Sequence, residues 1–204
     1  MTDEKRTLLK LLSLCLAYPD AEALAALPEM EEATAGLRDP LSRERLSHFM
    51  TLMKAQSLLK LQEHYTAVFD MNPTASLNLT WHLMGDREDR GRALAELLDV
   101  YRQAGFEPAV NELPDFLPLL LEFLAAASPA DAHTSILRCL AAVPALAGRL
   151  KESGSLYAVP LEMLCGVFPE TAHVSRNRES LDKTRNPKLE ARSSKQIRKI
   201  QRPI

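Results

Sequence analysis

An all-α fold, arranged as a single compact multi-helix bundle, is what this 204-residue chain predicts, and three observations predict it. Hydrophobic residues make up 46% of the sequence but aromatic residues only 5%, with 7 glycines, a balance that suits Leu/Ala-rich helices better than strands. Apolar side chains recur at helical spacing along most of the first 170 residues. Proline and Ser/Asp/Asn/Gly punctuation then cuts that periodicity into pieces of helix length, six to eight of them.

Residues 2–18 read as a helix buried over a broad face, with Asp3 and Glu4 in its first turn and Pro19 stopping it. A weaker Ala/Glu-rich helix spans about 21–37 and closes at Asp39-Pro40. Ser42 is a plausible N-cap for the strongest periodicity, which runs through Leu46, Phe49, Met50 and Met53, then Leu58, Leu61, Tyr65, Val68 and Phe69 to Asp70. The phase slips near Gln56-Ser57, which implies a bend or two successive helices. Turn chemistry at 71–76 leads into the short apolar stretch 77–83, a structured connector or a short helix. Asp86 caps the next helix, which turns Leu94, Leu97, Leu98 and Tyr101 inward and ends at Gly105. A helix over 114–127 follows, with Pro114 in its first turn and Pro118 tolerated near its start. Residues 132–150, bent at Pro144, and 157–167 complete the set.

Charge divides the chain in two. Residues 171–204 hold 10 Lys/Arg and 3 Asp/Glu, a net of +7, whereas 1–170 hold 15 against 24, a net of -9. The predicted organisation is therefore a helical domain over 1–170 and a basic, disordered tail over 171–204, whose few apolar residues cannot offset the entropy of ordering it. Residues 189–201 are the stretch able to become helical against a partner. An acidic body favours cationic peptides and disfavours nucleic acid, while the tail suits phosphate, anionic lipid or the chain's own acidic face.

Several function classes are disfavoured. Cys15, Cys139 and Cys165 are scattered and odd in number, so neither a disulfide framework nor a zinc site is indicated, and no cofactor is expected. Lys5, Arg6 and Lys10 before the apolar run 11–17 imitate a secretory leader, yet Asp3 and Glu4 spoil the cationic start and Tyr18-Pro19-Asp20 offers no small-residue cleavage site. No stretch has the length and apolarity of a membrane span, so a cytoplasmic location without membrane insertion is expected. No Gly-rich phosphate loop, GxSxG elbow or Cys/His neighbourhood exists, which argues against an enzyme.

The run Asn111-Glu112-Leu113-Pro114-Asp115-Phe116-Leu117-Pro118 carries the most information about function. Glu112 and Asp115, placed together at a helix entrance, serve either as caps or as a carboxylate pair for an arginine or lysine of a bound peptide; both readings stay open. Trp81-His82 and Gly85-Asp86-Arg87-Glu88-Asp89-Arg90 are either solvated helix-end charges or a pocket in which Arg87 and Arg90 orient acids beside Trp81. Tyr65, Phe69 and Asp70 fit core packing better than ligand contact.

Taken in order, Leu8-Leu9-Lys10-Leu11-Leu12-Ser13-Leu14-Cys15-Leu16-Ala17-Tyr18-Pro19, Gln62-Glu63-His64-Tyr65 to Phe69-Asp70, Ser76-Leu77-Asn78-Leu79-Thr80-Trp81-His82, the Gly85 to Gly91 run and Glu112-Leu113-Pro114-Asp115-Phe116-Leu117-Pro118 resemble the delta-chain (NarJ) family of respiratory nitrate reductase cofactor-assembly chaperones, within the all-helical redox-enzyme maturation chaperones. The resemblance covers about residues 5–169. It implies a non-catalytic chaperone that binds the apo catalytic (alpha) subunit, notably its N-terminal peptide, keeps it competent for molybdenum cofactor insertion and membrane docking, and leaves the finished enzyme. Molybdenum cofactor delivery proteins are candidates for further partners. The broader chaperone group carries Glu-Pro-x-Asp-His where this chain has Glu112-Leu113-Pro114-Asp115-Phe116, so Glu112, Pro114 and Asp115 carry over as peptide-binding residues. Tyr65, Asp70, Trp81 and Arg87 join them as groove candidates on the physical reading. The alternative is a helical scaffold that binds nucleic acid or acidic partners through its basic tail.

Overall fold

Six of the 14 residues of the first helix, α1 (Asp3–Leu16), are buried: Leu9, Leu11, Leu12, Ser13, Cys15 and Leu16. A helix hydrophobic over so wide an arc must be covered on several sides. In the computed structural model, which describes residues 1–85, 88–108, 112–128 and 134–169, α8 (Leu117–Ala126) packs along it most extensively, and α11 (Ala158–Val167) and α3 (Leu27–Ala35) close other sides. The remaining helices are α2 (Ala21–Ala25), α4 (Pro40–Lys54), α5 (Leu58–Tyr65), α6 (Leu79–Met84), α7 (Glu88–Gln103), α9 (Thr134–Leu140) and α10 (Val143–Glu152). Among the described residues the fold is all-α, and the β pairing seen there is an isolated bridge between Asn78 and Phe116.

Helices number eleven among the described residues, more than the six to eight expected, because prolines split stretches that periodicity alone joins. The expected helix 21–37 is α2 and α3, with Pro28 in the first turn of α3. Asp39-Pro40 opens a helix instead of closing one: Asp39 caps α4 by accepting from Leu41 and Ser42 N–H, and Pro40 occupies the first-turn position where a missing N–H costs nothing. Pro144 likewise starts α10, so the expected bend is a break between α9 and α10. The phase slip near Gln56-Ser57 is a true break, with Ser57 capping α5 through Lys60 N–H. Beyond Tyr65 the helix widens into a π-helical turn, Thr66–Asp70, which the sequence did not announce. Gly105 ends α7 at a φ of 80°, a conformation that favours glycine. The expected cap Asp86 and the tail 171–204 lie outside the described residues.

The charged first turn of α1 is tied to the ends of three other helices. Arg6 donates to the carbonyls of Ala125 at 2.9 Å and Ala127 at 2.8 Å, which closes α8, and Lys5 donates to Val167 O at 3.0 Å, which closes α11, while lying over the Phe168 ring. Glu4 accepts from Arg38 and Asp39 N–H at the entrance to α4. Cations on carbonyl ends and a carboxylate on N–H groups follow the helix dipole.

Breaking the Arg6 contact by Arg6→Ala is expected to lower the unfolding free energy by about 1.5 kcal/mol, since it orphans carbonyls that a charged donor satisfies. Lys10→Ala, which removes an ion pair with Glu122 whose side chains are both about half exposed, should change stability by less than about 0.5 kcal/mol. Urea unfolding of the two variants measures the contrast, and equal effects would refute it.

Candidate functional site

Residues 112–117 form a turn and a short extended passage, not the start of a helix. Phe116 N–H donates to Leu113 O at 3.0 Å, and Phe116 is extended, with φ -65° and ψ 121°. The expected helix 114–127 therefore begins three residues late, at Leu117, and Pro118 takes the first-turn position assigned to Pro114. Two main-chain hydrogen bonds pair this passage with residues 77–79: Leu79 N–H to Asp115 O at 3.1 Å and Leu117 N–H to Leu77 O at 2.9 Å. Tyr101 of α7 donates its hydroxyl to Pro114 O at 2.7 Å.

The Asp115 side chain is 0% exposed and faces the entrance of α6. Its carboxylate accepts from Thr80 N–H at 2.9 Å, from the Thr80 hydroxyl and from Asn78 Nδ2 at 3.3 Å. Arg90 of α7 stands 4.0 Å away and donates to Thr80 Oγ1 at 3.1 Å. Asn78, the residue at the N-cap position of α6, makes no side-chain capping bond, so Asp115 caps that helix from a distant part of the chain. The expected grouping of Glu112 and Asp115 at one helix entrance is thus corrected: no helix starts at Pro114, and the turn sends one carboxylate inward and leaves Glu112 exposed.

A second grouping lies on the outer side. Tyr65 is 3% exposed, donates to Leu16 O at 3.1 Å and packs with Phe69 and Tyr157, with centroids 4.8 and 5.7 Å away. Burial first, then the Asp70 carboxylate, Tyr157 and the Glu112 carboxylate, push its phenol well above the usual range, so Asp70 and Glu112 are both within electrostatic reach of this ring. Tyr18, 46% exposed, stands edge-on against Tyr65 at 5.3 Å, and Leu113 beside Glu112 is 43% exposed. Two exposed acids and two part-exposed apolar side chains thus belong to the Tyr65 neighbourhood and the segment beside it. Trp81 belongs to the Asp115 side, where Arg90 lies over its ring at 5.7 Å. Pro114 is buried. Arg87 lies outside the described residues. Sequence reasoning missed Tyr18 and Leu113 as surface residues and Thr80 as the partner of Asp115; the Asn78-Leu79-Thr80 entrance to a short helix was the available clue to the last.

Two larger hollows open elsewhere, one of about 450 Å³ between α1, α4 and α11 and one of about 500 Å³ between α1, α3 and α8. Neither is bordered by Asp70, Glu112 or Asp115, so the expected apolar groove ending in those carboxylates is not formed by these two hollows. Cys15 and Cys139 are pushed up to about 12 by burial, which removes the thiolate that nucleophilic chemistry needs. No helix among the described residues is long and apolar enough to cross a membrane.

A sequence profile described as the nitrate reductase delta subunit matches residues 21–161. The Bacillus subtilis (strain 168) protein named probable nitrate reductase molybdenum cofactor assembly chaperone NarJ is 36% identical over 163 residues, which span 80% of this chain and 89% of that protein. The Escherichia coli (strain K12) nitrate reductase molybdenum cofactor assembly chaperone NarJ is 35% identical over 159 residues, 76% of this chain and 67% of the relative. A crystal structure from Archaeoglobus fulgidus, described as a redox enzyme maturation protein, shares the fold with a TM-score of 0.57 at 23% identity, over 78% of this chain and 90% of that one.

Asp115→Ala should destabilise the protein by about 3 kcal/mol, because it strands Thr80 N–H and the Thr80 hydroxyl inside the fold and leaves half-buried Arg90 without its carboxylate; a urea midpoint unchanged from the parent would overturn this assignment. His82 supplies a pH dependence. Its ring nitrogen sits 2.6 Å from Ser76 O, and burial, reinforced by Arg149 and opposed by Ser76 and Asp115, holds its pKa below the ordinary 6.5. A histidine depressed in the folded state contributes stability that is present above the unfolded pKa and lost as pH falls below it. Stability should therefore decline from about pH 6.5 downward, and His82→Gln should flatten that decline in a series of denaturant melts.

Proposed function

Because the chain belongs to the nitrate reductase delta subunit family, we propose that it is a molybdenum cofactor assembly chaperone of respiratory nitrate reductase, acting by binding and not by catalysis. The observation that carries this is the match to named assembly chaperones over most of the folded body. In its finer form the reading is that the protein works in the cytoplasm, holds the apo catalytic subunit by its N-terminal peptide until the cofactor is inserted, and is absent from the finished enzyme. Molybdenum cofactor delivery proteins are further candidate partners.

The chemistry of the outer grouping supports the finer form. Asp70 and Glu112 offer acceptors for a lysine or arginine of the client, and Tyr18, Leu113 and the edge of Tyr65 offer apolar contact for its aliphatic residues. Pro114 and Asp115 act from within, by fixing the passage that presents Glu112. Trp81, steadied by Arg90 on the Asp115 side, and Arg87, on its sequence position alone, are further candidates for contact with the client. A body of net -9 over residues 1–170 attracts a basic segment and repels nucleic acid.

Calorimetric titration of the full chain with the synthetic N-terminal peptide of a nitrate reductase catalytic subunit tests the reading. Saturable binding is expected, weakened about tenfold by Glu112→Gln, the equivalent of ~1.4 kcal/mol, with the melting temperature unchanged. Absence of heat with a folded sample would sink the peptide-binding claim.

A further inference from the structure

Read at 100° per residue, Leu189, Ile197 and Ile200 fall within an arc of about 80°, while Arg192, Lys195, Arg198, Lys199 and Arg202 fall on the opposite side. That is the pattern of a basic amphipathic segment, the same chemistry assigned above to the client peptide. We propose that residues 189–202 are an internal competitor that docks on the Tyr18/Asp70/Glu112 surface of the same chain and must be displaced by the client. The competition rests on the proposed client reading; the docking does not.

Three observations support that occupant. The charges are nearly complementary, +7 over 171–204 against -9 over 1–170. Asp70 and Glu112 have no ion-pair partner among the described residues, and exposed Tyr18 and Leu113 offer matching apolar contact. The chain beyond Pro169 is long enough, since its span when extended is on the order of 100 Å, and tethering holds it at an effective concentration of about 1 mM. An anionic membrane is the other surface that suits such a segment, but the acidic body opposes approach to it.

Carbodiimide coupling of the full chain, with equal parts of unlabelled and 15N-labelled protein mixed beforehand, tests the docking without any client. The expected products join Lys195 or Lys199 to Asp70 or Glu112 within one chain. They should disappear in 1 M salt and in the variant Leu189→Ser/Ile197→Ser/Ile200→Ser, which keeps every lysine. Products spread evenly over surface acids such as Glu44 and Asp99, products between chains, or none at all overturn the proposal. Binding of the full chain to phosphatidylglycerol vesicles in the absence of those products overturns it in favour of a membrane. For a tail that binds with a Kd of about 0.1 mM, the triple-serine variant should take up the catalytic-subunit peptide about tenfold more tightly. Equal affinity with the cross-links present overturns competition and leaves docking; cross-links without any peptide binding leave docking and refute the client reading.

Discussion

A buried carboxylate that nothing compensated would cost several kcal/mol, and Asp115 is compensated by groups from two distant parts of the chain. Thr80 and Asn78 come from the entrance of α6, Arg90 from the first turn of α7, and the main chain around Asp115 is hydrogen-bonded to residues 77–79. Tyr101 holds the adjacent carbonyl from farther along α7. One side chain thus sets the positions of α6, of α7 and of the passage that leads into α8. Since α8 is the principal neighbour of α1, the constraint passes on to the core helix.

The opposite end of α1 uses charge in a different way. Lys5, Arg6 and Glu4 meet the open ends of α11, α8 and α4, so one helical turn satisfies backbone groups on three neighbours. A bundle of short helices has many such ends, each with unpaired carbonyl or N–H groups. Eleven helices among the described residues make end-satisfaction a larger share of the stability problem than in a bundle of four long ones. Both Asp115 and the first turn of α1 answer that problem from a distance, Asp115 where α6 has no side-chain cap of its own and Glu4 beside the local cap Asp39 of α4.

Those remote contacts also explain what was and was not legible in the sequence. The helical class, the extent of α1, the break before α5 and the end of α7 at Gly105 follow from periodicity and local caps, and these were readable. Asp39-Pro40 and Pro144 were misread because proline both ends and begins helices, and only the tertiary position of the following segment decides between them. The role of Asp115 was unreadable because its partner Thr80 lies 35 residues away and no local spacing links them. Among the candidate site residues, sequence joins two acids that the turn at Pro114 separates. It joins Glu112 with Asp115, whereas the structure buries Asp115 and leaves Glu112 exposed, within electrostatic reach of Tyr65 as Asp70 is.

Turn geometry, not helix geometry, decides where Glu112 and Asp115 point. Residues three apart share a face only if they are helical, and around Pro114 they are in a turn. The turn separates the two acids by environment: one is buried and accepts from Thr80 N–H, the Thr80 hydroxyl and Asn78, the other is exposed to water. The other acid that acts on Tyr65 together with Glu112 is Asp70, exposed at the end of the π-helical turn that follows α5. The placement of Glu112 depends on how rigidly 112–117 is pinned to 77–80. The interior acid therefore governs the exterior one: loosening Asp115 would blur the placement of Glu112 without touching the surface itself.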